Sequence, residues 1–157
     1  MLHVPLRTAY RTAHALLRVY WRVRRPETRG ALAAIWCRGK ILVIQSTYRS
    51  SVSLPGGYVK PGESAASAVI REIAEEIGVR VDERAVRHAY HGTKDFESRK
   101  DTLDIFAIEL DERPVVRPNR YELEWARWKD PEEVLAMRDV VPHLREYLER
   151  EVERRRG

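Results

Sequence analysis

The sequence predicts an α/β fold: a mixed β-sheet sandwiched between helices, with an extra amphipathic helix at the N-terminus. Three observations carry that expectation. Two apolar runs rich in β-formers, "GALAAIWC" (residues 30–37) and "KILVIQSTY" (residues 40–48), stand back to back. A glycine-rich loop then leads into a stretch of helical period over residues 64–77. Beyond it, strand-like and helix-like stretches alternate without the regular βαβ rhythm of a fully parallel sheet.

Taken in order, "LRTAYRTAHALLRVYWRV" (residues 6–23) suits a helix. Leu6, Tyr10, Ala13, Leu17 and Tyr20 recur at three- and four-residue steps, Arg7, Arg11, Arg18 and Arg22 gather on the polar side, and Pro26 ends it. Residues 1–25 are read as this helix and residues 26–157 as one domain, long enough to bury its own core. The two apolar runs are expected to pair across a tight turn at Arg38-Gly39. "LPGGYVKPGES" reads as loop, and the helix that follows stops at Gly78. Strands are expected near residues 86–92, 102–110 and 124–128, with the polar "KDFESRKD" as a loop between the first two. "DPEEVLAM" opens a short helix, with Asp130 capping and Pro131 in the first turn. Residues 142–156 form a last helix ending in a charge run.

Composition narrows the function classes. No stretch approaches the ~20 apolar residues that span a bilayer, and Arg7, Arg11, His14 and Arg18 interrupt any signal-like run. The single Cys37 allows neither an internal disulfide nor a cysteine zinc cluster, and a buried reduced thiol fits a cytoplasmic protein. The net charge of +5 is unevenly spread. Residues 1–30 hold seven arginines against Glu27 alone, whereas the rest of the chain nearly balances. The basic character therefore belongs to the N-terminal helix. The preferred reading packs that helix on the domain or on a second subunit in a homodimer. Peripheral membrane contact through residues 1–24, or contact with nucleic acid, stays open as an alternative.

The stretch "GGYVKPGESAASAVIREIAEEIGV" (residues 56–79) poses an electrostatic problem. Glu72, Glu75 and Glu76 crowd one helical face, and like charges three and four apart repel. At ~100° per residue, Ala66, Val69, Ile70, Ile73 and Ile77 form the stripe expected to face the core. The three carboxylates lie roughly a third of a turn away, at the core's edge. Such a cluster of hard oxygens suits Mg²⁺ or Mn²⁺, and the cation offsets the repulsion. Arg71, always charged and fork-shaped, is expected to hold Glu75 or another acid of the cluster. Gly56 and Gly57 let the backbone approach metal and phosphates closely.

Gly57, Glu63, Arg71-Glu72-Ile73, Glu75-Glu76 and Gly78-Val79, at these spacings, resemble the Nudix box without a departure. The surrounding order, with strands before and after the box and then Trp128 and "PEEV", also looks like that family. The resemblance implies the Nudix fold and hydrolysis of a nucleoside diphosphate linked to a moiety X, a small-molecule nucleotide substrate. Water attacks a phosphorus of the pyrophosphate with a divalent metal bound. It implies Glu72, Glu75 and Glu76 as metal ligands, with the Gly57 carbonyl beside them, and Glu63 supporting the loop or a second metal. In the family a glutamate before the late tryptophan strand often serves as general base, which here means Glu122 in "RYELEWARW"; Glu97 and Glu72 are the competitors. Tyr48, Arg49 and Tyr58 flank the box and are candidates to stack a base or bind phosphate. Arg99 and Lys100 are open to meeting phosphates but read by default as solvated loop, and His88, Tyr90 and His91 read as structural residues on a strand. Two other functions stay open: an RNA 5′-end pyrophosphohydrolase, and a non-catalytic nucleotide-binding sensor on the same fold.

Overall fold

A computed structural model describes residues 3–24 and 26–157. The chain runs α1 (His3–Arg24), β1 (Glu27–Cys37), β2 (Lys40–Ser46), β3 (Val52–Ser53), β4 (Gly56–Tyr58), α2 (Ala65–Ile77), β5 (Arg87–Phe96), β6 (Arg99–Leu110), β7 (Leu123–Lys129), α3 (Pro131–Ala136) and α4 (Pro142–Arg156). The boundary expected at residue 25 lies outside the described residues.

One mixed sheet organises these elements, in the order β3-β2-β1-β6-β5, with β4 on β1 and β7 on β2. β1 and β6 are parallel over eleven residue pairs, from Glu27–Lys100 to Cys37–Leu110, and the other pairings are antiparallel. β1 is central and covered on both faces, which explains its unbroken apolar run. Its alternate residues divide the core. Leu32, Ala34 and Trp36 pack with Leu144, Tyr147 and Leu148 of α4, while Ala31, Ala33 and Ile35 pack with Ala68, Val69, Ile73 and Ile77 of α2. The Trp36 indole N–H donates to the Tyr147 hydroxyl at 3.0 Å, so the largest buried ring in β1 leaves no polar atom unpaired.

Both tight turns at strand ends use left-handed backbone. Arg38-Gly39 does so with φ of 51° and 77°, as the glycine suggested. Residues 94–101, expected as loop, are instead the β5–β6 hairpin, closed by Glu97 and Ser98 at φ of 50° and 64°. Neither residue is one the left-handed region favours, so the sequence carried no turn signal there. Tertiary ion pairs to Glu97, described below, hold the turn.

α2 is capped by Ser64, whose hydroxyl accepts from the Ser67 N–H at 3.0 Å, and it ends at Gly78 with φ of 68°. Its buried face differs from the expected stripe. Ala65 and Ala68 are buried along with Val69, Ile73 and Ile77, whereas Ala66 and Ile70 are only partly covered. The small alanines let this side of the helix approach the sheet, which turns the buried arc toward the glutamates. Glu76 thus lies within the buried face, 6% exposed, rather than at its edge.

α1 also departs from expectation. Its covered residues are His14 and Trp21, and Leu6 and Tyr20 of the expected stripe are about half exposed. Leu16, Val19 and Val23 are exposed as well. No helix among the described residues is long and apolar enough to cross a membrane.

Candidate active site

The loop between β3 and α2 brings the glycines against the glutamate helix. β4 pairs with β1 through Gly30–Tyr58, Ala31–Gly57 and Leu32–Gly56, which presses this short strand onto the sheet directly beside α2. Gly56 adopts φ of 146° and donates its N–H to Glu76 Oε2 at 2.9 Å. A Cβ on Gly57 would stand 2.6 Å from Glu72 Cδ, so the Glu72 carboxylate occupies the space any side chain there would need.

Arg71 organises the outer side of this arrangement. Its Nε and Nη2 grip the Glu63 carboxylate at 2.8 and 3.1 Å, Nη1 donates to Glu72 Oε1 at 2.6 Å, and Nη2 also reaches the Tyr58 carbonyl at 3.2 Å. Glu75, expected as its partner, stands 3.6 Å away and keeps 63% of its side chain exposed. Glu63 additionally accepts from the Lys60 N–H at 3.0 Å. The Arg71 bonds, then the Lys60 N–H, hold the Glu63 carboxyl down at about 2, so it stays an ionised brace for the loop.

Glu76 is the opposite case. Burial pushes its carboxyl up to about 8, the charges of Glu72 and Glu122 add to the shift, and the Gly56 N–H opposes it. Glu122 precedes β7 and is partly buried. Its carboxyl is also raised, by burial first and then by Glu72 and Glu75, against a lowering bond from the Tyr10 hydroxyl at 3.4 Å. The Asn119 amide reaches the same Glu122 oxygen at 3.3 Å. Glu72, Glu75, Glu76 and Glu122 are therefore within electrostatic reach of one another, although Glu122 lies 46 residues beyond Glu76 in sequence. A set of carboxylates with no nitrogen or sulfur donor among them is one that a hard divalent cation takes.

Of these acids, Glu76 and Glu122 line a cavity of about 410 Å³, whereas Glu72 and Glu75 stand outside its lining. Gly57, Tyr58, Glu76, Glu122, Tyr48 and Arg49 all line it, so residues separated in sequence share one space. Its far wall comes from α1: Tyr10, His14, Leu17 and Trp21 face inward. Tyr10 and Leu17, with Ala13 between them, belong to the stripe the sequence suggested, and His14 and Trp21 widen it by one position. His14 stacks on Tyr48, with centroids 4.7 Å apart, and Trp21 lies under the Arg99 guanidinium at 4.1 Å. Arg99 is 4% exposed, contrary to the solvated loop expected of it.

An ion-pair network closes the wall. Glu97 receives Arg49 through two bonds at 3.3 and 3.0 Å and Arg99 at 3.0 Å, with the His14 imidazole 3.6 Å away. Burial alone would raise the Glu97 carboxyl. His14, Arg49 and Arg99 more than offset it and bring the carboxyl to about 2. Its stability contribution is present above the ordinary carboxylate range and fades as pH falls toward 2. Glu97→Gln is expected to cost about 3 kcal/mol at neutral pH, because it takes the carboxylate from Arg49 and leaves the buried Arg99 guanidinium with Asp101 at 3.6 Å. Urea unfolding of both proteins checks this, and the difference should shrink below pH 4. Equal stability at pH 7 would mean that the network holds nothing.

Comparison with known proteins agrees with this geometry. The NUDIX domain model matches residues 26–150. Among solved structures, the MutT protein of Methanosarcina mazei Go1 superposes with a TM-score of 0.73 at 22% identity, over 85% of this chain and 99% of that one. An Ap4A hydrolase from C. elegans, in a binary complex, gives 0.69 at 18% identity, over 83% and 98%. The NUDIX domain of Shewanella oneidensis NrtR, complexed with ADP ribose, gives 0.69 at 17% identity, over 82% and 88%. A search of curated protein sequences finds no match. With a family match over residues 26–150, most of its length, the chain belongs to the Nudix hydrolase family.

Proposed function

We propose that this protein hydrolyses the pyrophosphate linkage of a nucleoside diphosphate joined to a second moiety, with Mg²⁺ or Mn²⁺ held by Glu72, Glu75, Glu76 and the Gly57 carbonyl. The observation that carries the reading is the cavity itself, lined by both carboxylates and aromatic rings. When bound, the cation neutralises the pyrophosphate and acidifies water. Arg71 keeps Glu72 in place by its 2.6 Å bond. Glu122 takes the proton of the attacking water, and its raised pKa makes it a better base than an ordinary glutamate. Glu97 does not suit that role, since its oxygens are occupied and its pKa is about 2. Tyr48, His14 and Trp21 offer stacking surfaces for the nucleobase, while Arg49 and Tyr58 line the path to it.

A volume of about 410 Å³ is in the range that suits a small ligand. Walls supplied by α1 also favour a free nucleotide derivative over the end of an RNA chain. The test is phosphate release, after coupled phosphatase digestion, from nucleotide sugars, CDP-alcohols, dinucleoside polyphosphates, ADP-ribose, NADH and nucleoside triphosphates, each with Mg²⁺ and Mn²⁺. Turnover of one class supports the proposal. Tight binding without turnover would replace it with a sensor, and activity confined to triphosphorylated or capped RNA would move it to RNA ends.

The α1 contact to the base makes a second expectation. The Tyr10 hydroxyl lowers the Glu122 pKa, so Tyr10→Phe should raise it. Activity needs the ionised base, so the acidic limb of the kcat/KM profile should move to higher pH, a small displacement in keeping with a long 3.4 Å bond. An unmoved limb would separate Tyr10 from the base, or the base from Glu122.

A further inference from the structure

A second cluster of metal-ligand type lies outside the glutamate centre. β5 is an edge strand, and its pairing with β6 slips between His88 and Tyr90: His88 faces Phe106, Tyr90 faces Ile105, and His91 faces Asp104. Residues three apart on a regular strand point to opposite faces. The extra residue, Ala89, cancels that alternation and places both imidazoles on one face. There His88 Nε2 and His91 Nδ1 stand 2.9 and 2.8 Å from the same oxygen, Asp104 Oδ1.

Three features distinguish this cluster from ordinary surface polarity. Asp104 is 5% exposed, yet its Oδ2 has no hydrogen-bond partner, and the Arg29 guanidinium stands 3.6 Å away. A buried carboxylate oxygen left unpaired is costly and calls for a ligand. Both imidazoles are more than half exposed, so an ion reaches the buried carboxylate between them from solvent. One ligand atom from each of the three residues lies within 4.8 Å of the others, so small ring adjustments bring all three to the 2.0–2.2 Å bonds, roughly, of a bound ion.

We propose that His88, His91 and Asp104 bind one divalent transition-metal ion of the Zn²⁺ class, with water in the remaining position. Two imidazole nitrogens and one carboxylate suit Zn²⁺, Co²⁺ or Ni²⁺ and are a poor set for Mg²⁺, whose all-oxygen site is the glutamate helix. None of the three residues lines the cavity or belongs to the box. The ion clamps the bulged edge strand β5 onto β6.

The test is calorimetric titration of the full-length protein with ZnCl₂ in saturating Mg²⁺, with Co²⁺ substitution followed by visible absorption. One equivalent is expected. His88→Ala and His91→Ala, both at exposed positions, should each weaken it about tenfold or more, which is at least the scale of losing a supporting partner of a metal ligand. The four-coordinate Co²⁺ band should vanish in the double variant, whereas Glu76→Gln should keep both the equivalent and the band. Identical titrations for wild type and the double variant would overturn the proposal. So would loss of Zn²⁺ binding in Glu76→Gln with retention in the histidine variants.

Discussion

Glu76→Gln lowers turnover with Mg²⁺ by about three orders of magnitude and leaves the protein folded, the loss expected when several kcal/mol of metal-derived stabilisation disappear. The amide keeps the volume of the carboxylate and an oxygen for the Gly56 N–H, which now donates at 2.9 Å, so the packing of α2 on β4 survives. What goes is the charge. In metal-free protein that charge is a burden, because burial pushes the Glu76 carboxyl from an ordinary 4.5 up to about 8. Between those values the folded protein holds a proton that the unfolded chain has released. Metal-free stability therefore falls as pH rises from about 4.5 to 8, by on the order of 4 kcal/mol from this group. Thermal melts in EDTA should show that slope in wild type and a flatter one in Glu76→Gln. At pH 8, Mg²⁺ should raise the wild-type midpoint well above that of the variant's response. Near-normal Mg²⁺ activity in the variant would remove Glu76 from the metal site. A flat wild-type melt in EDTA would mean that its charge is not strained.

Removal of residues 1–24 lowers kcat/KM at least about tenfold, mainly through KM, and reduces stability. Without the structure, a helix N-terminal to the matched domain is easily taken as dispensable. Here Tyr10, His14, Leu17 and Trp21 form one wall of the cavity proposed to take substrate. Deletion strips the ring from beneath Arg99, uncovers the Glu97 network and opens the aromatic compartment to water. The carboxylate end meets α1 through the Tyr10 bond to Glu122 and, on either side of that residue, through Arg7 bonds to the Arg120 carbonyl and to Glu124. Chemistry on a bound substrate should fall less than binding does. Trp21→Ala gives a finer test: loss of a buried indole costs up to about 3–5 kcal/mol, limited by the free energy at which α1 undocks. Steady-state kinetics of the truncated and point variants separate the two effects. An unchanged KM in the truncated protein would show that α1 takes no part in holding substrate.

Several site features could be read directly from the chain. The box spacing placed Gly57, Glu63, Arg71, Glu72 and Glu76 in one functional unit because a loop and a helix are local structures, whose geometry follows from residues a few positions apart. The same locality made the Arg38-Gly39 turn legible, along with the Ser64–Gly78 limits of α2. Glu97-Ser98 was not legible as a turn, since two non-glycine residues at positive φ are sustained not by neighbouring Arg99 alone but by Arg49 and His14, distant partners that no local pattern reveals.

Sequence by itself determined the fold class, the family and the acidic end of the site, because hydrophobic period, turn chemistry and box spacing act over short distances along the chain. Only the tertiary structure decided that Glu76 is buried, that Arg71 grips Glu63 and Glu72 more closely than Glu75, and that α1 walls the cavity. Those outcomes depend on how closely Ala65 and Ala68 let α2 approach the sheet, and on which face of α1 meets Tyr48 and Arg99. Both are matters of packing between elements far apart in the chain, where small differences in side-chain volume and charge choose among arrangements that the local pattern permits equally.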